Sequence, residues 1–134
     1  MIFVDSSVWI DYIRELETPH TLKLDEILGV KRVVIGDLVL AEVLQGCNDP
    51  KVFDETVQLF ARLDFTVIGG YRIALGAAKN YIELRKKGIT IRKTIDTLIA
   101  TCCIIHNYEL LHNDRDFLPF EQYFGLKCVL PEGI

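Results

Sequence analysis

The chain has few of the features that mark secreted, zinc-binding or membrane proteins. Its 134 residues contain four cysteines, with no CxxC pair and no zinc spacing: Cys47, Cys102, Cys103 and Cys128. Adjacent cysteines in an apolar helical run are typical of small core residues, and a reducing compartment fits best. The opening MIFVD lacks the basic segment of a signal peptide, and no apolar run approaches the ~20 residues that span a bilayer. We therefore expect a cytoplasmic protein without membrane contact.

Several motifs of nucleotide-binding and hydrolytic enzymes are also missing. The sequence contains no GxxxxGK[ST], GxGxxG or GxSxG segment. A phosphatase with an aspartyl nucleophile commonly uses DxD, but Asp5 is followed by Ser6-Ser7. A nucleophilic Ser6 paired with a histidine is disfavoured without the GxSxG elbow, and His106 and His112 are interpreted as packing residues.

Composition indicates one ordinary globular domain, which we predict to cover residues 1–134. Half of the residues are hydrophobic and 25% are charged. The net charge of −4 is mild evidence against a nucleic-acid binder. Five basic residues nevertheless lie close together before Asp96, namely Arg85, Lys86, Lys87, Arg92 and Lys93. They are either a solvated helix end near its negative dipole or a surface that contacts phosphates.

Short apolar runs alternate with helical patterns along the chain. Helices are predicted after Ser6 or Ser7, which would cap the first, and then over 22–28, 38–45 with Asp37 as cap, 50–63, 71–87 and 95–105. The segment DFLPFEQYFG is predicted as a short helix or loop. Strands are predicted over residues 2–5, 32–35, 65–68, 109–112 and 128–130. This order predicts an α/β fold, a three-layer α/β/α sandwich around a mainly parallel sheet of about five strands.

Acidic residues stand where the predicted strands give way to helices. Asp5 ends the first strand, and Asp114 follows the fourth, with Asp116 two residues later. Glu42 and Asp96 lie on helices that should run back from the same sheet edge, where sites form in open α/β sheets. Each acid alone has a structural alternative, as a neighbour of a cap, in an Asx-turn or at a helix start. Glu42 is the exception, because its apolar neighbours imply partial burial and a buried acid needs a partner.

Together these acids predict a site for a hard divalent cation. Carboxylate and water oxygens suit Mg²⁺ or Mn²⁺, and we expect no cluster of thiolates or histidines to compete. Such an ion can activate water and neutralise charge on a phosphodiester, with either one ion or two. The sequence therefore favours a phosphoryl-transfer enzyme.

The quoted residues resemble the PIN-domain family, and within it the VapC-type toxins of toxin–antitoxin modules. The similarity covers nearly the whole chain, through MIFVDSSVWIDY, LAEVLQG, KGITIRKTIDTLIATCCIIHNYELLHNDRDF and the closing apolar strand. It implies that Asp5, Glu42, Asp96 and Asp114 bind metal, with Asp116 as an alternative or additional last acid. It also implies that Ser6 orients a ligand or water.

The resemblance further implies an Mg²⁺-dependent endoribonuclease, a homodimer and a small VapB-like antitoxin. The alternatives are a nuclease of RNA maturation or DNA processing, and a binding module that keeps the fold without turnover. Apolar residues that could form the partner surface, with core packing as the alternative, are Trp9, Tyr12, Ile13, Phe53 and Phe60. Which RNA is cut is not encoded in any recognisable reader motif.

Overall fold

A computed structural model describes residues 1–132, so residues 133 and 134 of the predicted domain lie outside the described part. Five strands form one sheet: β1 (Ile2–Val4), β2 (Val33–Gly36), β3 (Asp64–Thr66), β4 (Glu109–Leu111) and β5 (Lys127–Cys128). The helices are α1 (Ser6–Ile13), α2 (Pro19–Ile27), α3 (Asp37–Gln45), α4 (Pro50–Phe60), α5 (Tyr71–Lys86), α6 (Thr94–His106) and α7 (Leu118–Phe124), with a 3₁₀ turn at Arg115–Phe117.

The sheet order is β3-β2-β1-β4-β5, and all four strand pairs are parallel. The chain fills one half of the sheet first and then crosses to the other, so the order reverses between β1 and β4. Right-handed crossovers place α1–α4 on one face and α5–α7 on the other. The predicted three-layer α/β/α fold is therefore confirmed.

The central strands are apolar throughout because helices cover both of their faces. All three residues of β1 and all four of β2 are buried, as expected for a parallel sheet. Gly36 ends β2 where a Cβ atom would lie 2.9 Å from the ring of Phe3. A side chain at that position would push this ring out of the core.

Element ends differ from the predictions for identifiable reasons. Asp5 itself caps α1 by accepting the N–H of Ser7, so neither serine is the cap. Gly36 is the N-cap of α3, and Asp37 lies in the first turn instead, where its Oδ1 accepts the N–H of Ile68 at 2.8 Å. Pro19 is the first residue of α2, where a proline costs nothing because that N–H has no helical partner.

The core decides which of the candidate partner residues are available. Trp9 is fully buried, and its ring packs edge-on against Phe60 with centroids 4.9 Å apart. These two residues are core residues, so their assignment to a partner surface is wrong. Tyr12 and Ile13 pack partly against the core, whereas Phe53 is 40% exposed. Within residues 1–132 no helix is both long and apolar enough to cross a membrane.

Candidate metal centre

The carboxyl edge of the sheet, where the C-terminal ends of the parallel strands lie, gathers acids from β1 and β4. Asp5 directly follows β1 and Asp114 comes three residues after β4. The Asp5 N–H donates to the carbonyl oxygen of Leu111 at 3.0 Å, which aligns the two strand ends. The strand order reverses between these two strands, and ligands of open α/β sheets bind at such a point.

Asp5 is held rigidly although it is almost fully buried. The residue is only 3% exposed. Its Oδ2 accepts hydrogen bonds from the Ser7 N–H at 3.1 Å and from the Ser7 hydroxyl at 2.6 Å. The same Ser7 Oγ accepts the N–H of Asn113 at 3.2 Å. Ser7 therefore connects the first acid to the loop that carries Asp114.

Three further acids form what we call the three-acid group: Asp96, Asp114 and Asp116. One carboxylate oxygen from each lies within 4.8 Å of the others. Asp96 stands in the first turn of α6 and is 4% exposed. Asp114 caps the 3₁₀ turn by accepting the Asp116 N–H at 2.9 Å. The start of α6 and the 3₁₀ turn thus bring the three carboxylates close together.

Glu42 reaches the same region from α3 but is not part of the three-acid group. Its pKa is raised by burial and by the charge of Asp5, while Ser6 and Lys93 lower it. The charge of Asp5 also raises the pKa of Asp96. The charge of Asp5 therefore acts on both Glu42 and Asp96, and we call the five predicted acids the acidic unit.

Burial and the charge of neighbouring acids disfavour the ionised forms of Asp5 and Asp96. The pKa of Asp96 is raised to about 7, first by burial and then by the charges of Asp5 and Asp114. The pKa of Asp5 is also raised, mainly by burial, although its bonds to Ser7 oppose the change. Such clusters persist where a cation or a shared proton offsets the repulsion.

Two carboxylate oxygens of the unit are buried without a partner. Glu42 Oε1 and Asp96 Oδ2 have no hydrogen-bond partner anywhere in residues 1–132. An unsatisfied buried acceptor costs free energy in the isolated protein, and a hard divalent cation would satisfy it. The donor set, carboxylate oxygens alone, therefore fits Mg²⁺ or Mn²⁺.

The basic stretch before Asp96 divides into two parts. Arg92 Nε donates to Asp116 Oδ2 at 3.1 Å, and Lys93 is near enough to lower the pKa of both Glu42 and Asp96. The other three side chains belong to the end of α5, where Arg85 lies over Tyr81, Lys86 pairs with Glu83 and Lys87 lies over Tyr123. All five basic residues are exposed.

Sequence reasoning selected Ser6 and missed Ser7. Consecutive residues of a helix point about 100° apart, so the two serines serve different acids: Ser7 binds Asp5 and Ser6 lies beside Glu42. The signal that could have identified Ser7 is the Asp-x-x spacing of a helix cap, in which an Asp side chain accepts the N–H two residues on.

Known proteins resemble this chain in sequence and in fold. VapC ribonuclease Mb1587 from Mycobacterium bovis and ribonuclease VapC11 from Mycobacterium tuberculosis are each 27% identical over 119 residues, covering 87% of this chain and 89% of the relative. Among solved structures, VapBC2 from Rickettsia felis, bound to a promoter DNA fragment, superimposes with a TM-score of 0.74 at 21% identity over 96% of this chain and 98% of its own.

A second solved structure, FitAcB from Neisseria gonorrhoeae, has a TM-score of 0.74 at 17% identity and is covered completely, as is this chain. These structural likenesses support the fold. The model of the PIN domain family matches residues 2–121, a range that contains all five acids. The chain belongs to the PIN domain family.

Proposed function

We propose that this protein is an Mg²⁺- or Mn²⁺-dependent endoribonuclease, a single nuclease domain over residues 1–134 that acts in the cytoplasm as the toxin of a VapBC-type toxin–antitoxin module. The observation that carries the proposal is the set of buried carboxylates at the carboxyl edge, two of which have unpaired oxygens in residues 1–132. The names of the relatives, VapC ribonucleases, supply the substrate class.

The proposed metal ligands are Asp5, Glu42, Asp96 and Asp114, with Asp116 as an alternative or additional last acid. A bound divalent cation supplies charge neutralisation at the phosphodiester and makes water a better nucleophile. Ser7 fixes Asp5 so that its carboxylate needs little reorganisation on binding. Glu42, whose Oε1 is buried without a partner in residues 1–132, is suited to hold the cation, with Ser6 beside its carboxylate.

The exposed basic residues beside the unit are the proposed RNA contacts. Arg92 and Lys93 adjoin the acids, and Arg85, Lys86 and Lys87 extend the positive surface along the end of α5. Local positive charge attracts phosphates even on a chain of net charge −4. A homodimer would place two such surfaces on one particle.

The partner is proposed to be a small VapB-like antitoxin. Solved structures similar in fold include VapBC2 from Rickettsia felis and a toxin–antitoxin complex from Klebsiella pneumoniae. In this chain a cavity of about 330 Å³ lies between α1, α3 and α4, lined by Ile10, Ile13, Val43 and Val52. The cavity lies against α1 and α3, the helices that carry Ser6 and Glu42, and we propose it as a contact for an apolar antitoxin segment.

The test is RNA cleavage by the purified, antitoxin-free protein with Mg²⁺ or Mn²⁺, beside an EDTA control and Asp5→Asn. Asparagine caps a helix as well as aspartate, so this variant keeps the α1 cap and removes the charge. We expect metal-dependent cleavage by the wild type and by Asp54→Asn, which alters an exposed acid of α4, and none by Asp5→Asn. Binding of metal without cleavage of any RNA or DNA would instead support the non-catalytic module, and cleavage of DNA alone the DNA-processing nuclease.

A further inference from the structure

A second cluster of potential ligands lies beside the carboxyl edge and contains no member of the acidic unit. It consists of His112, directly after β4, Glu121 on α7 and Cys128 in β5. One ligand atom from each side chain lies within 4.8 Å of the other two. Three separate elements of the fold therefore converge on one point with a nitrogen, an oxygen and a sulfur.

The three side chains already contact one another. His112 Nε2 lies 4.0 Å from Glu121 Oε2, and these two side chains are 11% and 31% exposed. The imidazole packs against the ring of Phe117 with centroids 4.8 Å apart, which restricts its orientation. Burial, followed by the nearby Glu121 carboxylate, raises the pKa of Cys128 to about 12.

The cluster opens on a cavity that a solvated ion can enter. This cavity has a volume of about 310 Å³ and is lined by His112, Glu121 and Cys128 together with His20 from α2. His20 is also close enough to His112 to influence it electrostatically. A fourth ligand position therefore faces either a histidine or water.

We propose that His112, Glu121 and Cys128 form a binding site for a borderline-soft transition-metal ion of the Zn²⁺ class, distinct from the carboxylate site for Mg²⁺ or Mn²⁺. Zn²⁺ takes cysteine sulfur at about 2.3 Å and histidine nitrogen at about 2.0–2.1 Å. Tetrahedral ligands at those lengths are roughly 3.3–3.8 Å apart, so the cluster needs only to contract slightly. The donor sets separate the metals, because thiolate and imidazole favour zinc whereas carboxylates alone favour magnesium.

Binding of a metal ion at this site would release the proton of Cys128, move the proton of His112 and affect the neighbouring Asp114. The Cys128 thiol loses its proton to solvent when its sulfur coordinates. His112 Nδ1 accepts the N–H of Asp114 at 3.1 Å, so Nε2 carries the proton of the neutral ring in the metal-free protein. Coordination at Nε2 therefore requires the ring proton to move to Nδ1, and the hydrogen bond from the Asp114 N–H is then lost. Because Asp114 also lines the cavity, the proposed site directly adjoins the acidic unit.

Titration with Co²⁺ tests the site without any nuclease assay, since a thiolate bound to Co²⁺ gives an intense near-ultraviolet charge-transfer band. We expect one equivalent to produce this band in the wild type and in Asp96→Asn, and Zn²⁺ to displace it. Cys47→Ser is the matched control because Cys47 is the other half-buried thiol, and it should keep the band.

Cys128→Ser should lose the band, and Glu121→Gln, which keeps the thiol, should weaken Co²⁺ binding by at least about tenfold. Absence of the band from the wild type, or its persistence in a folded Cys128→Ser protein, would overturn the proposal. If Cys128→Ser does not fold, Glu121→Gln decides: unchanged Co²⁺ affinity in that variant rejects the site. Retention of the band by Asp96→Asn keeps this result independent of the proposed nuclease.

Discussion

The pKa values of acids at the two edges of the sheet shift in opposite directions. At the amino edge, where the strands begin, Arg32 donates from Nε and Nη2 to the two carboxylate oxygens of Asp64, both at 3.0 Å. This pairing lowers the pKa of Asp64. At the carboxyl edge the pKa of Asp96 is raised to about 7 by burial and by neighbouring acids.

The difference shows what each edge contributes to the protein. The Arg32–Asp64 pair is exposed and balanced, and such pairs contribute little to stability. The carboxyl edge gathers five acids, of which Asp116 has an arginine partner in Arg92. Buried charge without compensation is unfavourable for folding, so we attribute the arrangement to the proposed metal ion. We infer that function accumulated at the carboxyl edge and that the amino edge serves the fold.

The largest expected effect is on RNA cleavage, and it distinguishes Asp114 from Asp116. Asp114→Asn should lower metal-dependent RNA cleavage by at least about a hundredfold, because several kcal/mol of transition-state stabilisation depend on the bound ion. Asp116→Asn should lower it by less than about tenfold, since Asp116 already pairs with Arg92. Rate constants under single-turnover conditions measure both. Equal losses of cleavage in the two variants would indicate that Asp116 is as important as Asp114 for binding the metal.

An intermediate effect concerns how metal-free stability depends on pH. In the folded protein Asp96 keeps its proton up to about pH 7. In the unfolded chain its pKa has the ordinary value of 3.8, so the proton is lost at lower pH. Between these values the folded state binds more protons than the unfolded state, so stability falls as pH rises. Urea unfolding in EDTA from pH 4 to pH 8 should show this fall, and Asp96→Asn should reduce it. The same slope in both proteins would refute the shifted titration.

Added Mg²⁺ should restore stability on the alkaline side of that range, because an ion that binds only the folded state stabilises it. The measurement is the same urea titration at pH 8 with and without Mg²⁺. The expected gain is present in the wild type and reduced in Asp96→Asn. Equal stabilisation of the wild type and Asp96→Asn would indicate that the ion does not bind at Asp96.

The smallest effect is expected at the amino edge. Arg32→Ala removes both hydrogen bonds to Asp64, yet both side chains are exposed, so RNA cleavage should be unchanged and the urea midpoint nearly so. Thermal and urea unfolding beside the cleavage assay measure both quantities. A large loss of cleavage in this variant would remove the contrast between the edges.

Local sequence patterns were sufficient to predict the sheet and the convergence of Asp5 and Asp114. Buried apolar strands are recognisable in Ile2–Val4 and Val33–Gly36, and parallel strands present their carboxyl ends at one edge. The roles carried over by family resemblance, above all that of Glu42, remain predictions to be tested by mutation.

Tertiary packing decided what the sequence could not. Trp9 lies on a helix whose apolar residues could have faced either a partner or the sheet, and only the fold shows that it contacts Phe60. The cluster of His112, Glu121 and Cys128 has no recognisable zinc spacing, because its members meet through the packing of β4, α7 and β5. Long-range encounters of this kind leave no local periodic signal.

The most direct test of the central claim compares one acid from each edge in the same assay. Asp96→Asn and Asp64→Asn each remove a single negative charge, and each is measured for single-turnover RNA cleavage in Mg²⁺ against an EDTA control. We predict that Asp64→Asn cleaves at the wild-type rate and that Asp96→Asn loses at least about a hundredfold. Metal-dependent cleavage at the wild-type rate by folded Asp96→Asn would contradict the account.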